Sequence, residues 1–286
     1  MSELTLAASV RAAAERLAAG GVIDPLVDAE LLVGHVQGRG RGEVQAAIVR
    51  GEIVNEADAS AFDALITRRA AREPLQHLTG TAPFRHLELA VGPGVFVPRP
   101  ETEIVAQFAI DALLVDADPS PIGVDLCTGS GAIALAMATE VPHSRIHAVE
   151  LSPKAHAWAA RNTADAENLS LILGDLADTL DELDGTASVV ISNPPYVPDD
   201  AIPRDPEVRL HDPAMALYGG PDGLDIVRVL STRALRLLRS GGLLIIEHGE
   251  LQGAEIRALL EADGWRAPTT HPDLTHRDRA TTALKP

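Results

Sequence analysis

The 286-residue sequence has a single cysteine, Cys127, so it carries no internal disulfide framework. Its ten histidines are scattered, with no CxxC pair or HExxH run beside them, which leaves no pattern from which a zinc site is built. No metal is expected. Basic residues are also scarce: 24 Lys and Arg stand against 41 Asp and Glu, a formal net charge of -17. Such a surface on average repels phosphate backbones, which nucleic-acid proteins hold through Lys and Arg. Direct nucleic-acid binding is therefore not expected, although a local basic patch would still permit it. No stretch approaches the ~20 apolar residues of a membrane span. Met1-Ser2-Glu3-Leu4 does not open a basic region followed by an unbroken apolar run. A soluble, unexported monomer in a reducing cytoplasm, with no membrane partner, is the expectation.

What is present is enough apolar surface, 46% of residues, to build real cores in one large domain or in a large and a small one. Up to about residue 75 the pattern is helical. Leu6, Val10, Ala13 and Leu17 recur at helical spacing, Asp24-Pro25 reads as an N-cap followed by proline in the first turn, and Gly38, Gly40, Gly42 and Gly51 punctuate the segment. A last helix from Asn55 to about Arg72 places Phe62, Leu65 and Ile66 on one face before Pro74 ends it. From Pro83 to Val97 the spacing turns to alternation. This predicts a hairpin with Phe84, Leu87, Leu89 and Val91 on its first strand, Pro93-Gly94 at the turn, and Val95 to Val97 returning. After Pro98-Arg99-Pro100 a helix follows, with Glu101 and Glu103 in a first turn that favours negative charge and Ile104, Val105, Phe108 and Leu113 facing inward.

The remainder alternates short apolar strands, at Ile122 to Leu126, Arg145 to Val149, Leu169 to Leu173, Ser188 to Ile191 and Leu243 to Ile246, with helical stretches. Such alternation predicts an α/β fold with a doubly wound, mostly parallel sheet. Its ligands should lie beyond the carboxyl ends of the strands.

Behind the first of these strands comes Asp125-Leu126-Cys127-Thr128-Gly129-Ser130-Gly131, opening directly into an apolar helix. Gly129 and Gly131 allow a tight turn and close approach to a ligand, and the helix N-terminus offers N–H groups to a carboxylate or phosphate. Glu150 ends the second strand, where a carboxylate can take both hydroxyls of a ribose. NAD and S-adenosylmethionine both carry one, and Gly129, Gly131 and Ala134 satisfy the relaxed dinucleotide pattern. Asp125 favours S-adenosylmethionine, because it places a charge where it can hold the amino-acid ammonium group. Asp175, adjoining Leu176, is placed either to meet the adenine amino group or merely to cap a helix starting at Leu176.

The strand at Val189-Val190-Ile191 runs into Ser192-Asn193-Pro194-Pro195-Tyr196. Pro194 forces Asn193 to an extended conformation, and neither proline can donate a hydrogen bond. An amide or aromatic amine is a poor nucleophile because its lone pair is delocalised. If the Asn193 side-chain oxygen and the Pro194 carbonyl each accept one N–H, the lone pair is aimed at the methyl group and the developing positive charge is stabilised, an inverted oxyanion hole. Tyr196 can pack on the planar group and exclude water. A plain Pro-Pro turn is the structural alternative.

The stretches Pro74-Leu75-Gln76-His77, Phe96-Val97-Pro98-Arg99-Pro100-Glu101-Thr102-Glu103, the glycine loop, Asn193 to Tyr196, and Gly219 to Leu224 together resemble the peptide-chain release factor glutamine N5-methyltransferases, the HemK/PrmC family. Asn-Pro-Pro-Tyr alone is shared with adenine and guanine amino-methyltransferases, so a DNA or RNA amino-methyltransferase is the competing expectation; the Pro-Arg-Pro-Glu-Thr-Glu segment discriminates best. The resemblance implies a class I S-adenosylmethionine-dependent methyltransferase domain, Rossmann-like, at 99–286. Before it come a linker with the β-hairpin at 76–98 and a helical domain at 1–75 that helps recognise the release factor. The substrate would be the glutamine of the Gly-Gly-Gln motif, and S-adenosyl-L-homocysteine the second product. Cofactor contacts fall on Asp125, Cys127, Thr128, Gly129, Ser130, Gly131, Glu150, Asp175, Leu176 and Asn193. Substrate contacts fall on Asn193, Pro194, Pro195, Tyr196 and Arg99, with Asn193, Pro194 and Tyr196 catalytic. For Arg99, helix initiation or an ion pair with a nearby Glu is an equal alternative. Cys127 departs from the family, replacing its first loop glycine. Residues 197–222, with prolines at 198, 203, 206, 213 and 221, are expected to form a partly ordered substrate lid.

Overall fold

The computed structural model describes residues 5–286; the reading made on Met1 to Leu4 lies outside them. Two compact units emerge, one running to Thr81 and including Pro203–His211, the other comprising Ala82–Ile202 and Asp212–Pro286. Among the described residues no helix is long and apolar enough to cross a membrane.

The first unit is helical: α1 (Leu6–Ala19), α2 (Pro25–Gln37), α3 (Arg41–Val49), α4 (Glu56–Ala70) and α5 (Leu75–Thr79). Leu6, Val10, Ala13 and Leu17 form the buried stripe of α1, and Phe62 and Ile66 that of α4, as the spacing predicts. Thr5 and Asn55 cap their helices by accepting from the N–H of Ala8 and Asp58, satisfying donors that the first turn leaves over. Asp24 makes no side-chain cap bond. Instead Asp28 on α2 pairs with the buried Arg69 on α4 at 2.7 Å, and Glu207 closes on Arg69 at 2.8 Å.

The chain passes from the first unit to the second within a small hairpin, β1 (Thr81–Phe84) and β2 (Leu87–Ala90). The turn therefore falls at Arg85-His86, and residues 91–97 are not a returning strand. Arg85 takes the left-handed φ of 55°, a conformation unfavourable for a side chain with a Cβ. Its backbone N–H donates to Glu103 and its guanidinium to Glu140 and Gln107, contacts that no local turn pattern announces.

α6 (Thr102–Leu114), β3 (Ile122–Leu126), α7 (Ala132–Glu140), β4 (Arg145–Glu150), α8 (Pro153–Asn162), β5 (Leu169–Leu173) and β6 (Ala187–Ser192) follow. Then come α9 (Pro206–His211), which belongs to the helical unit, α10 (Asp225–Leu237), β7 (Leu238–Glu247), α11 (Gly253–Ala262), β8 (Arg266–Pro272) and β9 (Asp278–Leu284). The seven-stranded sheet has the order β5-β4-β3-β6-β7-β9-β8. β5, β4, β3, β6 and β7 are parallel, and β9 pairs antiparallel with both β7 and β8. The terminal antiparallel pair is not among the strands read from the sequence, because its polar, Thr-rich alternation lacks the apolar runs that mark the buried strands. One face of the sheet buries α6 and α7 with Phe84 and Leu89; the other buries α10 and α11 through Val227, Leu230, Ile256 and Leu260.

The chain leaves β3 toward β4 and β5, then returns to lay β6 on the opposite side of β3. A crevice opens at such a reversal because successive connections cover opposite faces. Leu126 pairs with Ser192 across it, so the segments following these two strands emerge side by side.

Candidate active site

The glycine loop follows β3 immediately. Cys127, Gly129 and Gly131 all adopt positive φ, at 65°, 60° and 83°, and a Cβ on Gly131 would come within 3.1 Å of Thr163. The loop therefore alternates left-handed residues, two of them glycines. Cys127, in place of a glycine, adopts the same conformation. Burial, followed by the nearby Glu150 charge, pushes its thiol up to about 12, so it stays a neutral, unreactive side chain.

Asp125, on β3, is fully buried. Its Oδ2 accepts from the Thr128 hydroxyl at 2.6 Å and from the Ala134 N–H at 3.1 Å, which ties the loop to the start of α7. Burial pushes its carboxyl up to about 7. Its Oδ1 has no partner among the described residues, nor do the backbone N–H groups of Ser130 and Ala132. A buried free acceptor beside free donors suits a ligand carrying both ammonium and carboxylate. Glu150, at the end of β4, accepts from the N–H of Gly129 and of Ser152, each at 2.8 Å. Both carboxylate oxygens are thereby oriented while keeping lone pairs for hydroxyl groups. Asp175 is exposed, and its Oδ1 accepts from Ala177 N–H. No helix starts at Leu176: residues 176–178 form a turn, so the expected helix cap is a turn-closing contact.

Asn193 to Tyr196 leave β6 beside this loop. Ser192 is wholly buried and its hydroxyl donates to Leu126 O at 2.6 Å. Neither the Asn193 side-chain oxygen nor the Pro194 carbonyl accepts a hydrogen bond from any described residue, so both acceptors of the amide clamp are available. The turn is held from behind. Gln252 donates to Tyr196 O at 2.9 Å and accepts from Gly249 N–H at 2.9 Å, and any Cβ on Gly219 or Gly223 would collide with Pro195 O or Tyr196 O. Burial, and next the charge of Glu247, push the Tyr196 phenol above its ordinary value, so it stays protonated and is not a base.

Arg99 pairs with Asp212 at 2.6 Å, not with a neighbouring Glu, and its guanidinium lies 4.7 Å from the centre of the Phe96 ring. In the segment expected to form a lid, Val197 bridges to Tyr218 and Asp199 N–H donates to Gly220 O, while residues 203–211 belong to the helical unit. Two residues that the sequence patterns do not assign stand behind Asn193. The Asn193 amide donates to Thr102 Oγ1 at 3.5 Å, and Glu247 lies buried at the end of β7. The only cue to Thr102 is its place in the Pro-Arg-Pro-Glu-Thr-Glu segment; the cue to Glu247 is its position at a strand's carboxyl end.

Residues 9–80 match the PrmC N-terminal domain and residues 87–209 the Methyltransferase small domain. A release factor glutamine methyltransferase of Streptomyces coelicolor is 49% identical over 98% of this chain and 98% of its own. The chain belongs to the release factor glutamine methyltransferase family. Its second unit is accordingly a class I methyltransferase domain. Another relative, named 4-amino-L-phenylalanine/4-methylamino-L-phenylalanine methyltransferase, from Streptomyces pristinaespiralis, is 40% identical over 77% of this chain and 76% of its own. A solved structure of a release-factor-specific protein-(glutamine-N5) methyltransferase from Alicyclobacillus acidocaldarius is 27% identical, covering 68% of this chain and 98% of that one, with a TM-score of 0.43.

Proposed function

We propose that this protein transfers the methyl group of S-adenosylmethionine to the side-chain amide nitrogen of a glutamine, the one in the Gly-Gly-Gln motif of peptide-chain release factors. The observation that carries this is the pair of unused acceptors, Asn193 Oδ1 and Pro194 O, at the end of β6 and next to the glycine loop. Two acceptors in fixed positions match the two N–H bonds of a primary amide. They orient its lone pair away from themselves and stabilise the positive charge that grows on nitrogen during transfer. Tyr196, protonated and held at its carbonyl by Gln252, supplies a flat face and no base. None is needed, because the proton is lost easily once nitrogen carries the methyl group.

The cofactor, when bound, supplies an electrophilic methyl group on a sulfonium. Ser130 and Ala132 N–H would meet its carboxylate, Asp125 Oδ1 its ammonium and Glu150 its ribose. Asp175 and Leu176 would flank the adenine. We place Arg99, paired with Asp212, as a support of the segment after the transfer loop. The helical unit is assigned to release-factor recognition, and the protein to the cytoplasm as a monomer that binds neither membrane nor nucleic acid directly.

The test is incubation with methyl-labelled cofactor and purified release factor, followed by mapping of the label. Label on the glutamine, lost in Asn193→Ala, is expected; an unmodified glutamine overturns the reading. Because one relative is named for an aromatic-amine substrate, 4-amino-L-phenylalanine serves as competitor. A free aromatic amine labelled in preference to the release factor would establish that second substrate class.

A further inference from the structure

Glu247 has no part in the clamp described above, yet it lies under it. β6 and β7 are paired through Ser192 and Ile246, so Asn193, the first residue past β6, follows Ser192 beside Glu247, the last residue of β7 and still paired with Ala280 of β9. Thr102, the first residue of α6, joins them. Thr102 and Glu247 are both buried, at 4% and 1% exposure. The Asn193 amide donates to Thr102 Oγ1, and hydrogen bonding from Thr102 and Asn193 favours the charged form of the Glu247 carboxyl. Glu247 Oε2 is buried without a partner among the described residues.

While the Glu247 carboxyl is ionised it can only accept, and the chain of donors and acceptors then has one polarity. A hydroxyl has one proton. With that proton given to Glu247, Thr102 can only accept from Asn193, which must present its NH2 group inward and its oxygen outward. The opposite orientation would set Asn193 Oδ1 against the lone pairs of Thr102 and Glu247, and would turn N–H donors toward the N–H bonds of the substrate. An asparagine amide is nearly symmetric in shape, so packing alone does not choose between the two orientations.

We propose that Glu247, acting through Thr102, is a positioning residue that locks the Asn193 side chain with its amide nitrogen inward and its oxygen toward the substrate nitrogen. This rests on the amide-clamp reading of Asn193. It also assigns a purpose to the Pro-Arg-Pro-Glu-Thr-Glu segment, which delivers Thr102.

Three variants test it: Thr102→Val, which keeps shape and removes the hydroxyl; Thr102→Ser, which keeps the hydroxyl; and Glu247→Gln, whose NH2 group lets the chain run in either direction. Methylation of the release factor should fall about 10- to 100-fold in kcat for Thr102→Val and Glu247→Gln, as for other residues that orient a reacting group. Thr102→Ser should stay within about twofold. Affinity for S-adenosylhomocysteine by calorimetry should be unchanged throughout. A second measurement needs no substrate: the Asn193 side-chain NH2 resonances, assigned by their loss in Asn193→Ala, should resist exchange with water in the wild type and in Thr102→Ser and exchange faster in the other two. Wild-type activity in Thr102→Val and Glu247→Gln, or unchanged Asn193 exchange in them, overturns the proposal. A wild type that labels no glutamine but shows the protected Asn193 signals overturns the substrate reading and leaves the lock in place.

Discussion

Ser192 Oγ donates a 2.6 Å hydrogen bond to the carbonyl oxygen of Leu126, its partner across the β3–β6 pair. Both residues are fully buried. The bond fixes the two strand ends at the level where the glycine loop and the Asn-Pro-Pro-Tyr turn diverge. In the proposed reading, the relative placement of methyl donor and acceptor is thus set by buried sheet.

Cys127 holds a left-handed φ of 65°, at a cost of about 1–2 kcal/mol for a residue with a Cβ. Glycine would relieve it but loses about 0.5–1 kcal/mol through the greater freedom of the unfolded chain. Cys127→Gly should therefore stabilise by at most about 1.5 kcal/mol in chemical denaturation and keep cofactor affinity. In the wild type, alkylation at pH 7.5 should be slow until the protein is unfolded, since burial holds the thiol protonated.

Gly223 combines a φ of 75° with a space that admits no side chain: a Cβ would stand 2.2 Å from Tyr196 O and 2.8 Å from Gln252 Nε2. Gly223→Ala should displace Tyr196 and cost about 1–3 kcal/mol by overpacking. Turnover should suffer far more than affinity for S-adenosylhomocysteine, because the glycine loop is untouched.

Burial pushes Glu247 up to about 7, opposed by hydrogen bonding from Thr102, by Arg279 and by Asn193, and reinforced by Glu101. A carboxyl raised in the folded state favours folding at low pH, where both states are protonated without penalty. Its contribution is lost as pH climbs from the unfolded value near 4.5 through 7. Glu247→Gln removes that penalty. Its thermal midpoint should exceed the wild type's at pH 8, by up to about 3 kcal/mol in stability, with the gap closing toward pH 4.5. A more stable but less active variant would separate positioning from folding.

In the helical unit, Arg69 is buried between Asp28 and Glu207. Arg69→Ala leaves the buried Asp28 carboxylate without its guanidinium and should destabilise by about 3–5 kcal/mol, read as an early unfolding phase of the first unit. Arg16→Ala removes an exposed pair with Asp63 and an exposed hydrogen bond to Thr67 and should change stability by no more than about 1 kcal/mol.

Local signals were legible wherever they record local physics. The stripe Leu6, Val10, Ala13 and Leu17 reports helical period, the apolar strands β3 and β6 report burial on two faces, and Gly129 and Gly131 report backbone that must turn left-handed. The hairpin turn was not legible, because Pro93-Gly94 is the stronger turn sequence, while the real turn at Arg85 is held by Glu103, Glu140 and Gln107 from α6 and α7. Nor was the pairing of Arg99 with Asp212, which lies 113 residues away.

By itself, then, the sequence determined the alternation of strands and helices, the two loops and the kind of chemistry each can support, since these follow from period, φ preference and donor and acceptor content over a few residues. Only the tertiary structure decided that the two loops meet at the β3–β6 reversal, and that Thr102 and Glu247 stand behind Asn193. Those contacts depend on the order in which strands enter the sheet and on burial of both its faces, which no short stretch of sequence encodes.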